Sequence, residues 1–274
     1  MKKLMIAAGA IALCGAVLAD VTSANIVGYN TATVNGGKQI ALALQFDDVT
    51  TPGKAIKIDK LITGVKHKST SLFAGCDQIW CWNHDPLVNT WVKYGYRAID
   101  KKTSAWNRYD GSNWHELTDD DVVYPGDTFI YFNANTTGSE TITLAGGVKE
   151  FTATPEYVIG GGKQRFVCYP WPVAFKLSNI TKCYAGGKST SLFAGCDQIW
   201  RWDATPSVNT WVKYGYRAVT KKESQWQKYV NGAWSGVALD DETDVVPAGQ
   251  GFIFFNADSS KSITLSFKFG EDAE

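Results

Sequence analysis

KSTSLFAGCDQIW at Lys68–Trp80 recurs without change at Lys188–Trp200, and VNTWVKYGYRA at Val88–Ala98 recurs at Val208–Ala218. Over residues 68–102, 28 of 35 positions are identical to the residues 120 positions later. A repeat of this length indicates a duplicated folding unit, because the units of solenoids and propellers are shorter and more numerous. The sequence therefore predicts two tandem modules of one fold.

Apolar and polar residues alternate within each copy, which is the pattern of half-buried strands. One run places four apolar side chains on a single face: Ile40, Leu42, Leu44 and Phe46. Turn signals such as Asp110-Gly111 and Asn231-Gly232 separate the runs. We predict an all-β chain of two antiparallel β-sandwich or flattened-barrel modules. Each would have about seven to nine short strands around its own tryptophan-rich interior.

The two copies differ at one informative position, which is Cys81 in the first and Arg201 in the second. Burying an unpaired arginine is costly, so we expect this face of the strand to meet solvent. Trp80 and Trp82 then point into the core. In the next strand we expect the face that carries Trp91 to be the more exposed one.

The first 19 residues have the composition of an export signal. Lys2 and Lys3 precede an uncharged stretch over residues 4–18, and the small residue Ala19 suits cleavage before position 20. The stretch is shorter than the roughly 20 residues of a membrane span, so no membrane span is expected. A lipid-anchored alternative would use Cys14.

These patterns divide the chain into three parts. We predict a signal peptide over residues 1–19, β-module 1 over residues 20–149 and β-module 2 over residues 150–274. The expected location is outside the cell, either secreted or at the cell surface, with the periplasm as an alternative. Below, module 1 and module 2 denote the last two ranges.

The overall charge argues against a nucleic-acid partner. Lysine and arginine number 27, aspartate and glutamate also number 27, and the net charge is zero. The chain therefore has no net attraction for phosphate backbones. Hydrophobic residues make up 45% of the chain and include 11 tryptophans, enough to fill a core and to exclude wholesale disorder.

Short motifs resemble those of a known group of proteins. They are ANIVGY at residues 24–29, DQI at 77–79, PGDTF at 125–129 and TITLAG at 141–146. They resemble a family of uncharacterised exported β-rich proteins of verrucomicrobial-type bacteria. Module 2 departs from the pattern, because PEYV at residues 155–158 replaces the Val-Gly-Tyr phrase. The resemblance implies export and a β-rich fold, and it carries no catalytic residue.

The cysteines suggest one disulfide. Cys168 and Cys183 have no cysteine at the aligned positions of module 1. Their joint presence in an exported protein predicts a bond between them. Cys76 and Cys196 occupy the same place in both copies and are expected to be small buried thiols, with a bond from Cys76 to Cys81 as the open alternative.

The sequence indicates no catalytic residue, cofactor or metal site. The spacing of the cysteines and histidines does not match a metal-ligand set. His67, His84 and His115 have no counterpart in module 2, and we expect them at the surface. The acidic clusters 119–121 and 240–242 lack EF-hand spacing and are predicted to be solvated loops. We therefore predict that the chain is not an enzyme.

One constellation of aromatic and basic residues is the best candidate for ligand binding. Its members are Trp91, Lys93 and Arg97 in module 1 and Trp211, Lys213 and Arg217 in module 2. An exposed aromatic row stacks on sugar rings or anchors a protein partner. In the alternative interpretation Trp91 packs under the loop 83–88 and the cations cover it. Trp106 and Trp114 are equally open to exposure, because they flank a hairpin turn.

Together these features predict a secreted or cell-surface structural or interaction protein that is non-catalytic and self-assembles through its repeated modules. Its partner would be itself or another surface protein, because two tethered copies of a weak surface gain avidity. The alternative is a carbohydrate-binding protein that holds glycans on exposed aromatic platforms.

Overall fold

The computed structural model describes the following residues: 27–47, 54–83, 90–148, 155–205 and 209–268. The predicted signal peptide, Cys14 and His84 lie outside these ranges. Within them the chain is all-β, as the alternation predicts, and no helix exceeds four residues. None of the helices in the described ranges is long and apolar enough to cross a bilayer.

The regular elements of module 1 are strands β1 (Val27–Val34), β2 (Gln39–Ala43), β3 (Phe46–Asp47) and β4 (Ile56–Lys57), helix α1 (Ile58–Leu61), a 3-10 turn (Phe73–Gly75), and strands β5 (Gln78–Trp82), β6 (Trp91–Ala98), β7 (Ser104–Tyr109), β8 (Trp114–Glu116), β9 (Val122–Val123), β10 (Thr128–Phe132) and β11 (Glu140–Val148).

The regular elements of module 2 are strands β12 (Glu156–Ile159), β13 (Gln164–Cys168) and β14 (Phe175–Lys176), a 3-10 turn (Leu177–Asn179), helix α2 (Ile180–Cys183), a second 3-10 turn (Phe193–Gly195), and strands β15 (Gln198–Asp203), β16 (Thr210–Ala218), β17 (Ser224–Val230), β18 (Ala233–Trp234), β19 (Val245–Val246), β20 (Gly251–Phe255) and β21 (Ile263–Ser266).

The two modules share one sheet topology. A six-stranded antiparallel sheet has the order β2-β10-β5-β6-β7-β8 in module 1 and β13-β20-β15-β16-β17-β18 in module 2. Smaller sheets accompany it, with the orders β1-β11-β3 and β4-β9 in module 1 and β12-β21 and β14-β19 in module 2. No sheet among the described residues closes on itself, so the modules are sandwich-like rather than barrels.

Strand number agrees with the prediction once very short strands are set aside. Module 1 has eight described strands of three or more residues and module 2 has seven. Two-residue strands bring the totals to eleven and ten. The predicted hairpin between β17 and β18 is formed, because Asn231 and Gly232 have φ angles of 51° and 82°, as its turn type requires.

One face of each six-stranded sheet forms the core of its own module. In module 1 this face carries buried Ile79, Tyr94 and Phe129, which cluster with Ile58 of α1 and with Val123 of β9. Module 2 repeats the arrangement with a second cluster of buried residues that includes Ile199, Tyr214, Phe252, Ile180 and Val246. Apolar burial on this face is the main stabilising contribution to each module.

The opposite, tryptophan-bearing faces of the two sheets pack against each other. Phe166 of β13 lies between Trp91 and Trp211, at ring-centroid distances of 5.6 Å and 6.1 Å. The indole nitrogen of Trp202 donates a hydrogen bond to the carbonyl oxygen of Gln39 in module 1, at 2.9 Å. The tryptophans of β5, β6, β15 and β16 therefore share one layer between the modules, whereas Trp106 and Trp226 lie in the cores of their own modules, as predicted.

This packing also corrects the expected exposure of position 81. Cys81 is only 8% exposed and Arg201 only 9%. Both lie on the inner face of their module, while Trp80 and its neighbours face the other module. An arginine is tolerated here because it is not alone: its guanidinium lies 3.8 Å from the Asp203 carboxylate and interacts with the Tyr214 hydroxyl.

Strand β2 shows the same effect of a second covering layer. The predicted apolar face is buried at Ile40 and Leu42, but Ala41 and Ala43 on the other face are buried as well. The backbone nitrogen of Ala43 donates to the carbonyl oxygen of Gly249 in module 2, at 2.8 Å. An alternating pattern thus identified the strand but not the burial of both its faces.

Gly251 marks a very close approach between the modules. It occupies the position equivalent to Thr128, as the pairings of β2 with β10 and of β13 with β20 show. A methyl group at Gly251 would overlap the Thr128 side chain and lie 2.7 Å from the Val167 carbonyl oxygen. Close docking therefore requires that one of these two equivalent positions has no side chain.

We expect Gly251→Ala to lower the free energy of unfolding by about 1–3 kcal/mol, because the added methyl group overfills a packed site. Thr128→Ala removes the atoms that it would meet, so the double variant should recover part of the loss. Urea unfolding of the two single variants and the double variant measures this coupling. Strictly additive losses would contradict the proposed contact.

Candidate functional site

The structure separates the predicted binding constellation into two groups. Trp91 packs edge-on against Trp82 at 4.7 Å and contacts Phe166 of the other module, so it is half-buried between the modules. The Lys93 ammonium lies 4.7 Å from the centre of the Trp80 ring. The Trp91 platform is therefore largely used for packing inside the chain.

Module 2 gives the same result. Trp211 packs against Trp202 at 5.0 Å and against Phe166 at 6.1 Å. The Lys213 ammonium lies 4.6 Å from the centre of the Trp200 ring. The lysines therefore lie over Trp80 and Trp200 and not over Trp91 and Trp211, so the alternative interpretation is wrong about what the cations cover. Most of the loop 83–88, under which Trp91 was expected to pack, lies outside the described residues.

The two arginines of the constellation belong to a different cluster. The guanidinium carbon of Arg97 lies 5.7 Å from the centre of the Trp114 ring, and that of Arg217 lies 5.7 Å from the Trp234 ring. Cations in this position interact favourably with the face of an indole. Arg97 and Arg217 thus lie near the last strands of their sheets, β8 and β18, and contact neither Trp91 nor Trp211 in this way.

At these ends each module presents the same surface. We name Leu72, Phe73, Arg97, Tyr109 and Trp114 aromatic patch 1. The equivalent residues form aromatic patch 2: Leu192, Phe193, Arg217, Tyr229 and Trp234. The phenylalanine and tyrosine rings of each patch stack nearly parallel, with ring centroids 4.5 Å apart in patch 1 and 4.3 Å apart in patch 2. The tyrosine and tryptophan of each patch are 5.0 Å and 5.2 Å apart.

Strand register explains why these rings meet. Lys93, Tyr109 and Trp114 are direct cross-strand partners on β6, β7 and β8, and directly paired residues project from the same face of a sheet. Trp80 on β5 begins the same row. One aromatic and basic row therefore runs from the layer between the modules at Trp80 to the open patch at Trp114.

Gly95 on β6 allows the Phe73 ring, which the loop carries, to pack against the sheet. A methyl group at Gly95 would lie 2.7 Å from the Trp114 ring, 3.0 Å from the Phe73 ring and 2.8 Å from the Cys76 sulfur. The corresponding distances at Gly215 are the same. Phe73 and Trp114 can cover this part of the sheet only because the position carries no side chain.

A buried carboxylate anchors the loop that carries Leu72 and Phe73. Asp77 is almost fully buried, and its carboxylate accepts hydrogen bonds from the backbone nitrogens of Lys68 and Ala134 at 3.2 Å and 2.8 Å. Tyr131 adds its hydroxyl at 2.8 Å. These bonds replace the water that a buried charge loses, so they fix both ends of the loop.

Further bonds within the loop fix its tip. The Gln78 side chain donates to the Phe73 carbonyl oxygen at 2.8 Å, and the Trp114 indole donates to the Ser71 carbonyl oxygen at 3.3 Å. The backbone nitrogen of Leu72 donates to the Thr70 hydroxyl oxygen at 3.1 Å. The apolar tip residue is thus held on a rigid support.

The tip residue is exposed in both copies. Leu72 and Leu192 are each 73% exposed. Among the large apolar side chains exposed in the described ranges, only this pair and the pair Ile99 and Val219 occur at equivalent positions. Isolated exposed leucines need no explanation, but the same leucine on the same anchored loop in both modules singles out this surface.

His67 departs from the surface position expected of it. Its side chain is 9% exposed and lies 3.2 Å from the Asp77 carboxylate, with its ring 5.1 Å from that of Trp106. Trp106 is itself buried and belongs to the core, unlike Trp114. His115 is exposed as predicted and pairs with Asp110 in the hairpin turn at 2.8 Å.

Module 2 fills the space of His67 with a different residue. Its aligned position is Gly187, where a methyl group would meet the Tyr184 hydroxyl at 2.6 Å. The Tyr184 ring packs against Phe254 at 5.2 Å. Burial raises the pKa of both Tyr184 and Tyr131 well above its usual range, so both hydroxyls stay protonated. We therefore interpret His67, Asp77 and Tyr131 as a structural network.

The structure contradicts the predicted disulfide. All five cysteines in the described ranges are buried, and none forms a disulfide. The Cys168 thiol donates to the Gly126 carbonyl oxygen at 3.0 Å, in the contact between the modules. The Cys183 thiol donates to the Asn179 carbonyl oxygen within its own helical turn, at 3.5 Å. Both sulfurs thus contact other groups as buried small side chains.

No metal centre is present among the described residues, because they contain no group of three or more His, Cys, Asp or Glu side chains arranged to hold an ion. The acidic residues of the loop before β9 have other roles. Asp119 pairs with Lys57 at 2.6 Å, and the buried Asp121 accepts the Tyr94 hydroxyl at 3.0 Å. Their carboxylates connect the loop to the sheet.

Burial raises the pKa of the Cys76 and Cys196 thiols to about 11. At pH 8 only about one such thiol in a thousand is a thiolate, so we expect very slow alkylation by iodoacetamide in the folded protein, with a rate that rises with pH. In urea without reductant the five thiols of the described ranges should react, and Cys14 also in a chain that retains it, as intact mass would show. Two unmodified cysteines would indicate one disulfide, and peptide mapping would show whether it joins Cys168 to Cys183 or Cys76 to Cys81.

We expect Gly95→Ala to lower the free energy of unfolding by about 1–3 kcal/mol, because the methyl group has no space beneath Phe73 and Trp114. Gly147→Ala is the matched control in a strand, since its nearest contact would be 4.0 Å away. Chemical denaturation compares the two variants. Equal stability would contradict the close packing of aromatic patch 1.

Comparison with known proteins assigns no function to this geometry. No protein-family model matches the chain, and no curated protein or solved structure is significantly similar to it. The duplicated patches and their exposed leucines therefore carry the functional argument.

Proposed function

We propose that this chain is a non-catalytic structural and interaction protein of the cell exterior that binds through two equivalent surfaces, aromatic patches 1 and 2. The observation that carries the proposal is the repetition of one anchored, apolar-tipped patch in both modules. Leu72 and Leu192 have the same exposure, and the ring distances beneath them agree within 0.2 Å.

The composition of the patches supports a role in protein contacts. Aromatic residues and arginine are enriched at protein interfaces and dominate their binding energy. Each patch combines them with an exposed leucine on a loop that hydrogen bonds hold in place. A surface that is ordered before binding loses less conformational entropy when a partner docks.

The partner that this geometry favours is another copy of the chain. A molecule with two equivalent contact surfaces links two neighbours, and repeated contacts of this kind generate open chains. The sheet edges next to the patches offer less, because the outer strands β8 and β18 have three and two residues, too short for extended edge pairing. The patches therefore supply the contact in this proposal.

Glycan binding receives less support from the geometry. Sugar rings need an open aromatic face, whereas Arg97 lies over the Trp114 ring and Phe73 stacks on Tyr109. Trp91 and Trp211, the predicted platforms, pack against Phe166. A glycan array with the unmodified chain tests this second candidate directly.

We expect the average mass of the purified chain, measured by light scattering, to rise with concentration. The double variant Leu72→Asp/Leu192→Asp should remain monomeric, because it places a charge at the tip of both patches. Charging one tip only should stop assembly at the dimer, because one contact surface remains. Val158→Asp/Val237→Asp, which charges two exposed valines outside the patches, is the matched control.

Two outcomes would contradict the proposal. A wild-type chain that stays monomeric at high concentration overturns self-assembly. Equal assembly by the leucine variant and the valine control places the contact outside the patches. Binding on the glycan array that Arg97→Ala or Trp114→Ala removes would favour the second candidate instead.

A further inference from the structure

Module 1 has a pocket at one end of its sheet. In module 2 an arginine side chain fills the equivalent site. The pocket measures about 220 Å³, and Cys81, Tyr94, Arg108, Asp120 and Asp121 contribute to its wall. Cys81 and Tyr94 project from the inner face of the sheet, opposite to Lys93 and Tyr109. The pocket is therefore a different surface from aromatic patch 1.

The strand register makes the two sites directly comparable. Cys81 pairs with Val92 and Phe129, and Arg201 pairs with the equivalent Val212 and Phe252. The tyrosine and the buried aspartate are also retained. Tyr94 donates to Asp121 at 3.0 Å in module 1, and Tyr214 donates to Asp244 at 3.1 Å in module 2.

In module 2 the side chain of Arg201 occupies this site. It is nearly buried, its guanidinium lies 3.8 Å from the Asp203 carboxylate, and it interacts with the Tyr214 hydroxyl. Lys228 also approaches Asp244, at 3.5 Å, just as Arg108 approaches Asp121 at 3.8 Å in module 1. The feature that module 1 lacks is the second, internal guanidinium.

Two substitutions account for that difference and occur together. Where module 2 has Arg201 and Asp203, module 1 has Cys81 and Asn83, two residues apart on the same face of the strand. Module 1 thus lacks both the guanidinium and the carboxylate that lies beside it in module 2. The tyrosine that the guanidinium contacts, and the aspartate that accepts the hydrogen bond of this tyrosine, are the same in both modules.

The charge that remains in module 1 suits a cation. Arg108, Asp120 and Asp121 are the charged side chains in its wall, and they sum to one negative charge. The Tyr94 hydroxyl is already committed to Asp121 as a donor, so its oxygen is oriented to accept a hydrogen bond. A planar cation with several N–H groups can satisfy both the hydroxyl and the carboxylates.

We propose that this pocket of module 1 binds a guanidinium group from outside the chain, in the place that Arg201 occupies in module 2. The guanidinium belongs either to a small alkylguanidinium or to an exposed arginine side chain of a protein. In both cases the group enters beside Cys81 and faces Tyr94 and the acidic wall.

Calorimetric titration with butylguanidinium tests the proposal, with butylammonium as the control for charge alone. The titrations use the Leu72→Asp/Leu192→Asp background, so self-association does not contribute to the heat. We expect one site per chain for butylguanidinium and at least about tenfold weaker binding of butylammonium, which lacks the planar donor set. A pentapeptide GGRGG, with GGKGG as its control, distinguishes the protein-borne source from the small molecule.

Variants that exchange the two modules give the decisive result. Cys81→Arg/Asn83→Asp should lose the site, because it supplies the internal guanidinium that module 2 has. Arg201→Cys/Asp203→Asn should gain one of lower affinity, because Thr243 stands where module 1 has Asp120, so the stoichiometry should approach two only at high ligand concentration. Asp120→Asn, at an exposed position that does not threaten folding, should weaken binding about threefold to tenfold.

The outcomes decide the question in each case. No saturable binding of butylguanidinium or GGRGG at millimolar concentration overturns the proposal. Equal affinity for the guanidinium and ammonium probes overturns guanidinium recognition, and unchanged binding by Asp120→Asn and Cys81→Arg/Asn83→Asp places the site elsewhere. Binding of GGRGG alone supports the proposal with a protein as the source.

Discussion

The packing of two tryptophan-bearing sheet faces on each other governs the rest of this structure. Phe166 inserts between Trp91 and Trp211, and Trp202 hydrogen-bonds the Gln39 carbonyl oxygen. Strands next to this layer are consequently buried on both faces, as Ile40 and Ala41 show in β2 and Cys81 and Trp82 show in β5. Each such strand buries apolar side chains on both of its faces, which increases the apolar area removed from water. Fewer aromatic residues then remain for contacts outside the chain.

Buried polar groups in this interior are accommodated by partners rather than by water. Asp77 accepts backbone hydrogen bonds from Lys68 at the start of its loop and from Ala134 after β10, and Asp121 and Asp244 each accept a tyrosine hydroxyl. Arg201 is tolerated because the Asp203 carboxylate lies beside its guanidinium. A buried charge is costly only when it is left alone, so each of these groups also specifies which neighbours must be present.

Duplication has kept some features and changed others, and the contrast indicates where function lies. Aromatic patches 1 and 2 are equivalent in residue type, ring geometry and exposure of their leucines. The inner faces differ instead. Tyr184 of module 2 fills the space that His67 fills in module 1, and Arg201 stands at the position equivalent to Cys81. In the functions that we propose, the repeated outer surface binds two equal neighbours and the altered inner pocket binds a guanidinium group in module 1 alone.

The sequence by itself determined the duplication, the all-β class and the hairpin at Asn231-Gly232, because these depend on local alternation and turn chemistry. It also selected Arg97 and Arg217, but it grouped them with Trp91 and Trp211 rather than with Trp114 and Trp234. A pattern of period two shows that a strand has two faces and cannot show what covers the second one. Only the tertiary structure decided that Trp91 lies between modules, that His67 and Arg201 are buried beside carboxylates, and that the Cys168 and Cys183 thiols donate to separate carbonyl oxygens instead of forming a disulfide. The sheets that bury these residues are assembled from strands that are distant in the chain, which a local pattern cannot show.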